Sequence, residues 1–443
     1  EAARLALHAG VDIDLHSGTY LKELPALVRS GKVPKAELDA AVRRVLVAKY
    51  KLGLFDDPFR YGDRATAKRV TLSPQHRALA RKAARESMVL LENRNATLPL
   101  RHSGRIAVIG PLAEARETLQ GPMPAVGKPR DVVPILDGIR NAAGKGVAVD
   151  FAKGVDVGGD DTSGIAAAVK LAKASDIAVL VLGEDRPMIG EGNSRAHVDL
   201  PGKQLELAKA VKAAGVPIVV VLVNGRPLTI PWLHEHADAV LEAWLPGDDG
   251  GNAVADLLFG DENPSGKLPI TFPRTLGQVP IHYAHLETGR PFDPGDSYTT
   301  RYVDVSNSPL YPFGYGLSYT TFEFGPLHLD STSLAPNGTL HVTVRVANTG
   351  TRAGTEVVQL YVRDEVADVS RPVRQLRGFE RVTLAPGESK NVTFTITPSM
   401  LAFHRLDMSY GTEPGVFDVY AGGDSTATAH ATFTLQRDSG SHP

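Results

Sequence analysis

One loop, residues 183–201, carries most of the side chains of this chain that could do chemistry. It holds two glutamates, Glu184 and Glu191, with Asp185 beside the first and Arg195 after the second. A carboxylic acid can serve as a general acid or base, and an arginine can pair with a carboxylate or hold a substrate oxygen. Because Glu191 lies between two glycines, its backbone can move. That freedom suits a general acid that swings onto a substrate held elsewhere.

The elements around the loop predict where these side chains lie. A hydrophobic run, Ile177 to Leu182, precedes the loop, and a helix-like stretch, Lys203 to Ala214, follows it. In an open α/β sheet, ligands bind outside the carboxyl ends of the strands, so we expect a site at this edge. The plain alternative for a glutamate on a loop is solvated surface. A lone histidine such as His197 is likewise more often a surface residue than a ligand.

Residues 73–316 alternate between strand-like and helix-like segments. The strand candidates are Arg105–Ile109, Val147–Phe151, Asp176–Leu182, Pro217–Val223 and Ala239–Trp244. Their continuous Val, Ile and Leu runs indicate strands that are covered on both faces. The pattern therefore predicts a mostly parallel sheet with helices on both sides, entered through a helix from Gln75 to Leu91.

The first 56 residues predict only a few elements. Helices are expected at Ala2–His8, Leu21–Arg29 and Lys35–Tyr50, with a short strand at Val11–Leu15. One strand and three helices cannot bury these apolar faces alone. The segment is therefore either a small helical domain or the end of a truncated β/α repeat domain. Residues 57–72 are polar and rich in turn residues, which predicts a linker.

Residues 317–438 predict an all-β domain. Short, alternating, β-branched runs occur at Leu340–Val346, Val357–Val362, Val382–Leu384, Val392–Ile396 and Phe417–Tyr420. Turn signals separate them, and several short strands at that spacing indicate an immunoglobulin-like β-sandwich. The predicted fold class is thus α/β plus β.

Composition excludes several classes of function. The formal net charge of −2 gives no field for nucleic acid or an acidic membrane, and the longest apolar runs are far too short for a membrane span. The absence of cysteine excludes disulfides, thiolate metal sites and a cysteine nucleophile. No phosphate-binding loop, dinucleotide fingerprint or metal-spaced histidine cluster occurs, so no cofactor and no metal are predicted. A nucleotide-binding doubly wound protein remains an alternative that the missing phosphate loop disfavours.

A series of motifs, in order along the chain, resembles glycoside hydrolase family 3, in particular its bacterial and often periplasmic β-glucosidases. The motifs are Arg43–Phe55, Ala83–Asn93, Leu98–Leu100, Asn224–Leu228, Trp244–Gly247, Gly250–Gly260, Asn263–Arg274 and Tyr311–Phe322. The resemblance covers essentially the whole chain. It implies the C-terminal end of a (β/α)8 barrel, an α/β sandwich domain and a fibronectin type III-like domain. It also implies a periplasmic or secreted protein that acts on β-linked gluco-oligosaccharides.

The resemblance further implies retention of anomeric configuration by two carboxylates. It assigns the acid/base role to Glu191 and the nucleophile to an aspartate in a Ser-Asp motif expected upstream of Glu1. That aspartate would belong to a missing barrel segment or a separate chain, so we expect no glycosidase activity from these 443 residues alone. Asp12 and Asp14 lack the motif and are interpreted as structural or substrate-contacting. A homodimer is the default expectation for assembly.

Three further residues are predicted to bind substrate: Glu184, Arg195 and Met123. Met123 lies where close relatives of the resembled family place a tryptophan, and a thioether stacks on a sugar less well than an aromatic face. Asp185 and Arg186 add charge to a short catalytic loop. Either departure could favour xylosides or another linkage, so a β-xylosidase or another exo-β-glycosidase is the alternative. A non-catalytic carbohydrate-binding or scaffold protein is the alternative of another class.

Overall fold

The computed structural model describes residues 1–437, in two compact units that divide between His76 and Arg77. The helices are α1 (Ala2–His8), α2 (Thr19–Arg29), α3 (Lys35–Lys51), α4 (Arg64–Val70), α5 (Pro74–Ser87), α6 (Arg116–Leu119), α7 (Ile135–Ala143), α8 (Ile165–Lys173), α9 (Gln204–Lys212), α10 (Pro231–His236), α11 (Gly250–Phe259) and α12 (Pro398–Leu401). The strands are β1 (Val89–Asn93), β2 (Gly104–Ile109), β3 (Val147–Ala152), β4 (Ile177–Gly183), β5 (Ile218–Val223), β6 (Ala239–Glu242), β7 (Phe322–Leu329), β8 (Ser333–Leu334), β9 (Leu340–Asn348), β10 (Gly354–Asp364), β11 (Gln375–Leu384), β12 (Ser389–Ile396), β13 (Phe403–His404), β14 (Tyr410–Gly411), β15 (Gly415–Gly422) and β16 (Ala429–Leu435). Within residues 1–437, no helix is long and apolar enough to cross a membrane.

The first unit is helical, with a small core. Its fully buried apolar side chains are Ala3, Leu7, Leu24, Val33 and Ala41. The three predicted helices are present, but the predicted strand at Val11–Leu15 is wrong, because this segment is irregular. A strand needs a neighbour for its backbone groups, and residues 1–76 contain no other strand to provide one.

Two boundaries near the start of the α/β domain differ from the sequence prediction. The predicted linker 57–72 contains a helix, α4, whose first turn is capped by the carboxylate of Asp63. The helix predicted to reach Leu91 ends at Ser87, and Val89 begins strand β1. A short apolar run fits a buried helix and a buried strand equally well. Pairing with β6 decides the outcome, since it buries Val89 and Leu90 completely.

The central sheet has six strands in the order β1-β6-β5-β4-β2-β3. Five of them run parallel, and β1 pairs antiparallel with β6. Two apolar cores flank this sheet, one on each face, which confirms the mostly parallel, doubly covered arrangement. The sequence reasoning missed α7 and α11, which cover one face. They cross at Gly138 and Gly251, where a Cβ on Gly138 would lie 2.0 Å from the Gly251 carbonyl oxygen.

The all-β domain is a sandwich of a five-stranded sheet, β11-β10-β15-β16-β8, and a three-stranded sheet, β12-β9-β7. Valine, leucine and phenylalanine side chains from both sheets form one buried core. All five predicted runs lie within strands, and β7, β8, β13, β14 and β16 are additions to the prediction. The last residue of the predicted domain, 438, lies outside the described residues.

Candidate active site

The loop that carries the predicted acid/base begins where β4 ends. Gly183 closes the strand with φ +138, and a Cβ at this position would lie 2.0 Å from the Val223 carbonyl oxygen of β5. Only glycine allows this approach. The chain then turns so that the next side chain, Glu184, points inward and is completely buried.

Glu184 is the centre of a buried ionic cluster. Its Oε1 accepts a hydrogen bond of 2.8 Å from Nη1 of Arg195 and lies 3.1 Å from Nε of Arg226. Its Oε2 accepts from the amide of Gly225 at 3.3 Å. An ionised carboxylate without partners would be very costly to bury, so the two guanidinium groups make this position tenable.

The same two arginines fasten the loop on both sides of Glu191. Arg226 donates from Nη2 to the carbonyl oxygens of Met188 at 2.5 Å and Asn193 at 3.1 Å. Arg195 donates from its own Nη2 to the carbonyl oxygen of Asp199 at 3.1 Å. We call Glu184, Arg195 and Arg226 the loop clamp. Through these contacts, the buried charge of Glu184 holds in place the backbone that carries Glu191.

Glu191 itself is exposed and lines an open hollow of about 510 Å³. The hollow is lined by Glu117, Pro122, Met123, Arg186, Pro187, Ile189, Glu191 and Asn193. Gly190 and Gly192 flank the glutamate at φ +95 and +78, a conformation that favours glycine. Gly190 also packs on Pro122, where a Cβ would approach to 2.5 Å. The predicted mobility of this tip stays a prediction.

The structure sorts the predicted site residues into two groups. Glu191 and Met123 line the same hollow, and the Met123 side chain is 72% exposed there. Glu184 and Arg195 line no part of it and pair with each other beneath the loop. Substrate contact by Glu184 and Arg195 stays a prediction, while their mutual ion pair holds the loop in position.

A second buried carboxylate, Glu242, lies at the end of β6. Burial raises the pKa of Glu242 to about 8, and the nearby charge of Glu184 acts in the same direction. Hydrogen bonds from the Trp244 amide at 2.9 Å and from Nδ2 of Asn224 at 3.2 Å oppose the shift. Glu242 is therefore protonated at neutral pH and adds no second negative charge beneath the loop.

Sequence reasoning missed Arg226, Asn224 and Glu242. A signal was available, because Asn224 directly follows β5 and Glu242 is the one charged residue in the apolar strand β6. The carboxyl ends of β4, β5 and β6 are adjacent in the sheet, so polar residues there meet Glu184. Within residues 1–437, no group of three or more acidic or histidine side chains could hold a metal.

Asp12 and Asp14 in the first unit are both engaged locally. Asp12 forms a two-oxygen ion pair with Arg44, with a shortest distance of 2.6 Å. Asp14 accepts from the hydroxyl of Ser17 at 2.7 Å and from the amide of Tyr20 at 3.1 Å. These hydrogen bonds hold the pKa of Asp14 well below its usual range. Both contacts agree with the structural interpretation of these carboxylates.

Family models match three parts of the chain. Residues 88–319 match the glycosyl hydrolase family 3 C-terminal domain, and residues 356–425 match a fibronectin type III-like domain. Residues 1–48 match the glycosyl hydrolase family 3 N-terminal domain.

Relatives of known sequence and structure agree with these matches. A periplasmic β-glucosidase of Salmonella typhimurium is 46% identical over 98% of this chain and 60% of its own length. A β-xylosidase of Formosa agariphila is 42% identical over 98% of the chain and 61% of its length. The crystal structure of a mutant β-glucosidase from Listeria innocua in complex with laminaribiose has a TM-score of 0.90 at 39% identity, covering 99% of this chain and 60% of that one. The chain thus spans about three fifths of the length of these relatives.

Proposed function

The chain belongs to glycosyl hydrolase family 3, and from that premise we propose that it carries the general acid/base of a retaining β-glucosidase, with Glu191 in that role. The observation that carries the proposal is the position of Glu191. It is exposed in an open hollow, on a loop that a buried clamp fastens to the carboxyl edge of the parallel sheet. A proton donor must reach its substrate and also be held in place, and this arrangement meets both needs.

The proposed reaction has two steps. In the first, protonated Glu191 gives its proton to the glycosidic oxygen while that oxygen leaves the anomeric carbon, and a second carboxylate attacks the same carbon. In the second, ionised Glu191 takes a proton from water, and the water oxygen displaces the enzyme carboxylate. In glycosidases that retain the anomeric configuration, the two catalytic carboxyl groups lie roughly 5–5.5 Å apart. We do not assign the nucleophile to Asp12 or Asp14, because Arg44, Ser17 and Tyr20 already engage them.

The proposed substrate is a β-linked gluco-oligosaccharide cleaved from its non-reducing end. The Salmonella relative is a β-glucosidase, and the Listeria β-glucosidase was crystallised with laminaribiose. A β-xylosidase is the second candidate, supported by the exposed Met123 thioether in the hollow and by the Formosa relative.

We also propose a periplasmic or secreted location, which the Salmonella relative supports. Homodimeric assembly is a further proposal, which light scattering would check.

The test compares two carboxylates of the same hollow, Glu191 and Glu117. Assays would use aryl β-glucosides with good and poor leaving groups, and the barrel segment of a family 3 relative would be supplied with the chain. Glu191→Ala should lower turnover of the poor leaving group by a factor of about 10²–10⁴ and that of the good one far less. Glu117→Gln is the control and should change neither. Equal losses on both substrates, or an unchanged rate in Glu191→Ala, would refute the assignment.

A further inference from the structure

A second cleft lies between residues 278–307 and the loop that joins β10 to β11. It consists of two hollows of about 590 and 520 Å³, which share Glu287 and Thr288 in their walls. Neither hollow has a lining residue in common with the hollow at Glu191. Each volume lies in the range of roughly 300–1,000 Å³ that is typical of ligand sites. We call the joined space the distal cleft.

The walls of the distal cleft are tied together. The Val373 amide donates to the His285 carbonyl oxygen at 3.0 Å, and Arg363 pairs with Glu287 at 3.1 Å. The hydroxyl of Tyr302 donates to the Gly277 carbonyl oxygen at 2.8 Å, which fixes its ring. These contacts hold the cleft in shape without a ligand, so binding would require little ordering of the walls.

Aromatic faces line one end of the cleft. Phe292 is 53% exposed and Tyr302 is 45% exposed, and both rings lie beside the polar side chains of Arg301 and Asn307. A sugar ring has apolar faces formed by its C–H groups and a rim of hydroxyls. Flat aromatic surfaces beside planar hydrogen-bonding groups match that pattern, because an aromatic ring offers large apolar area with defined geometry.

The other end holds a buried donor and a buried acceptor, both without hydrogen-bond partners among residues 1–437. They are Nε of Arg371 and Oδ2 of Asp364, which lie 3.9 Å apart. The Asp364 side chain is only 7% exposed. A ligand hydroxyl that enters between them can accept from the guanidinium and donate to the carboxylate at once. Both atoms are enclosed by protein and form a long ion pair without a hydrogen bond, so parting the two side chains to admit a bridging hydroxyl breaks no hydrogen bond.

The charges of the distal cleft argue against an ionic ligand. Three arginines and four carboxylates line it, so the two signs nearly balance. These residues are Arg301, Arg363, Arg371, Glu287, Asp364, Glu365 and Asp368. The described residues also contain no acidic or histidine group suited to a metal. A neutral, polyhydroxylated ligand fits this balance best.

We propose that the distal cleft is a second carbohydrate-binding site, which takes a segment of a β-linked glucan chain and leaves hydrolysis to the Glu191 hollow. The choice of a β-glucan rests on the proposed function. The site itself rests on the aromatic rings and on the Asp364–Arg371 ion pair, whose facing atoms make no hydrogen bond. A polymer held there would raise the local concentration of chain ends around the enzyme, whereas a single glucoside would gain nothing.

The test measures binding of the chain to a soluble β-glucan by affinity electrophoresis, with dextran as an α-linked control polymer. Phe292→Ala and Asp364→Asn should each weaken retardation by the β-glucan roughly five- to tenfold. Tyr298→Ala is the matched control, because Tyr298 is 79% exposed in the same segment but does not line the cleft. It should bind as the unaltered chain does. Hydrolysis of a small aryl β-glucoside, with the barrel segment supplied, should be the same for all four proteins.

The outcomes separate this site from the proposed function. Binding to the β-glucan that depends on Phe292, in a protein that hydrolyses no glucoside even with the barrel segment supplied, would keep the distal cleft and reject the proposed function. Hydrolysis with no β-glucan binding, or with binding that neither Phe292→Ala nor Asp364→Asn weakens, would overturn the distal cleft alone. Equal retardation by dextran would also overturn it, because the site would then not recognise β-linked chains.

Discussion

Two glutamates on one loop, seven positions apart, have opposite environments. Glu184 is completely buried between two arginines, while Glu191 is exposed between two glycines. Glu184 lies beneath the loop and lines no part of the hollow, whereas Glu191 lines it. The difference shows how a loop tip can be aimed, because a buried ion cluster fixes the backbone on both sides of Glu191.

Removal of the buried partner should have the largest effect on this contrast. In Glu184→Ala, Arg195 and Arg226 lose a buried counterion, and breaking a buried ion pair costs about 3–5 kcal/mol. We expect the free energy of unfolding to fall by that amount in urea titrations followed by tryptophan fluorescence. Glu191→Ala is the control, and its free energy of unfolding should fall by less than about 0.5 kcal/mol, as is usual for exposed substitutions. Equal losses in the two variants would remove the distinction between clamp and tip.

The protonated carboxyl beneath the clamp should make stability depend on pH. Because the pKa of Glu242 is raised to about 8 in the folded state, its stabilising contribution is full below the unfolded pKa and is lost as pH rises through 8. The free energy of unfolding should therefore decline between about pH 4.5 and 8, by at most about 5 kcal/mol from this group.

Glu242→Gln should flatten that decline, because glutamine mimics the protonated acid at every pH. Denaturant titrations of the variant and the unaltered chain at pH 5 and pH 8 would check this, and the difference between the two proteins cancels all other titrating groups. The same slope in both proteins would mean that Glu242 does not hold the proton.

Replacing one arginine of the loop clamp with lysine should displace Glu191 with little loss of stability. Arg226→Lys keeps a charge beside Glu184 but cannot reach Met188, Asn193 and Glu184 together. We expect kcat/KM to fall on the order of tenfold, with stability lowered by about 1 kcal/mol. Arg195 contacts one loop carbonyl oxygen, that of Asp199, besides Glu184, so Arg195→Lys should lose less activity. A larger loss of kcat/KM in Arg195→Lys than in Arg226→Lys would show that Arg195 is the main residue that holds the loop.

The smallest effect concerns sugar preference at the exposed end of the hollow. Met123→Trp replaces a thioether with an aromatic face, which is worth about 0.5–1.5 kcal/mol in aromatic contacts. We expect KM for an aryl β-glucoside to fall a few-fold and the ratio of glucoside to xyloside turnover to rise. An unchanged ratio would show that Met123 does not contact the sugar that sets specificity.

The sequence predicts those elements that local interactions determine, and it fails where a distant partner determines the structure. The sequence predicts the strands β2 to β6 to within about two residues, because continuous apolar runs bounded by turn residues specify buried parallel strands. The sequence predicts a helix as far as Leu91, whereas the structure begins a strand at Val89, because only pairing with the distant β6 distinguishes a strand from a helix there. The prediction of a strand at Val11–Leu15 is wrong, because alternating apolar and polar residues do not form a strand without a neighbouring strand to pair with.

The same division holds at the site. The family resemblance predicts an acid/base role for Glu191 and a substrate-binding role for Met123, and the two residues line one hollow. The burial of Glu184 could not, because the residue after a strand can turn to either side and Gly183 decides which. Arg226 and Glu242 are far from Glu184 in sequence and meet it only because β4, β5 and β6 are adjacent in the sheet.

The most direct test of the central assignment is the product that azide forms with the Glu191→Ala variant. Azide needs no general base, so it should restore turnover of an activated aryl β-glucoside when the barrel segment is supplied. Because a retaining enzyme passes through a glycosyl-enzyme, the product should be β-glucosyl azide, recognisable by NMR of its anomeric proton. An α-glucosyl azide, or the absence of rescue with hydrolysis unimpaired, would contradict the role of Glu191.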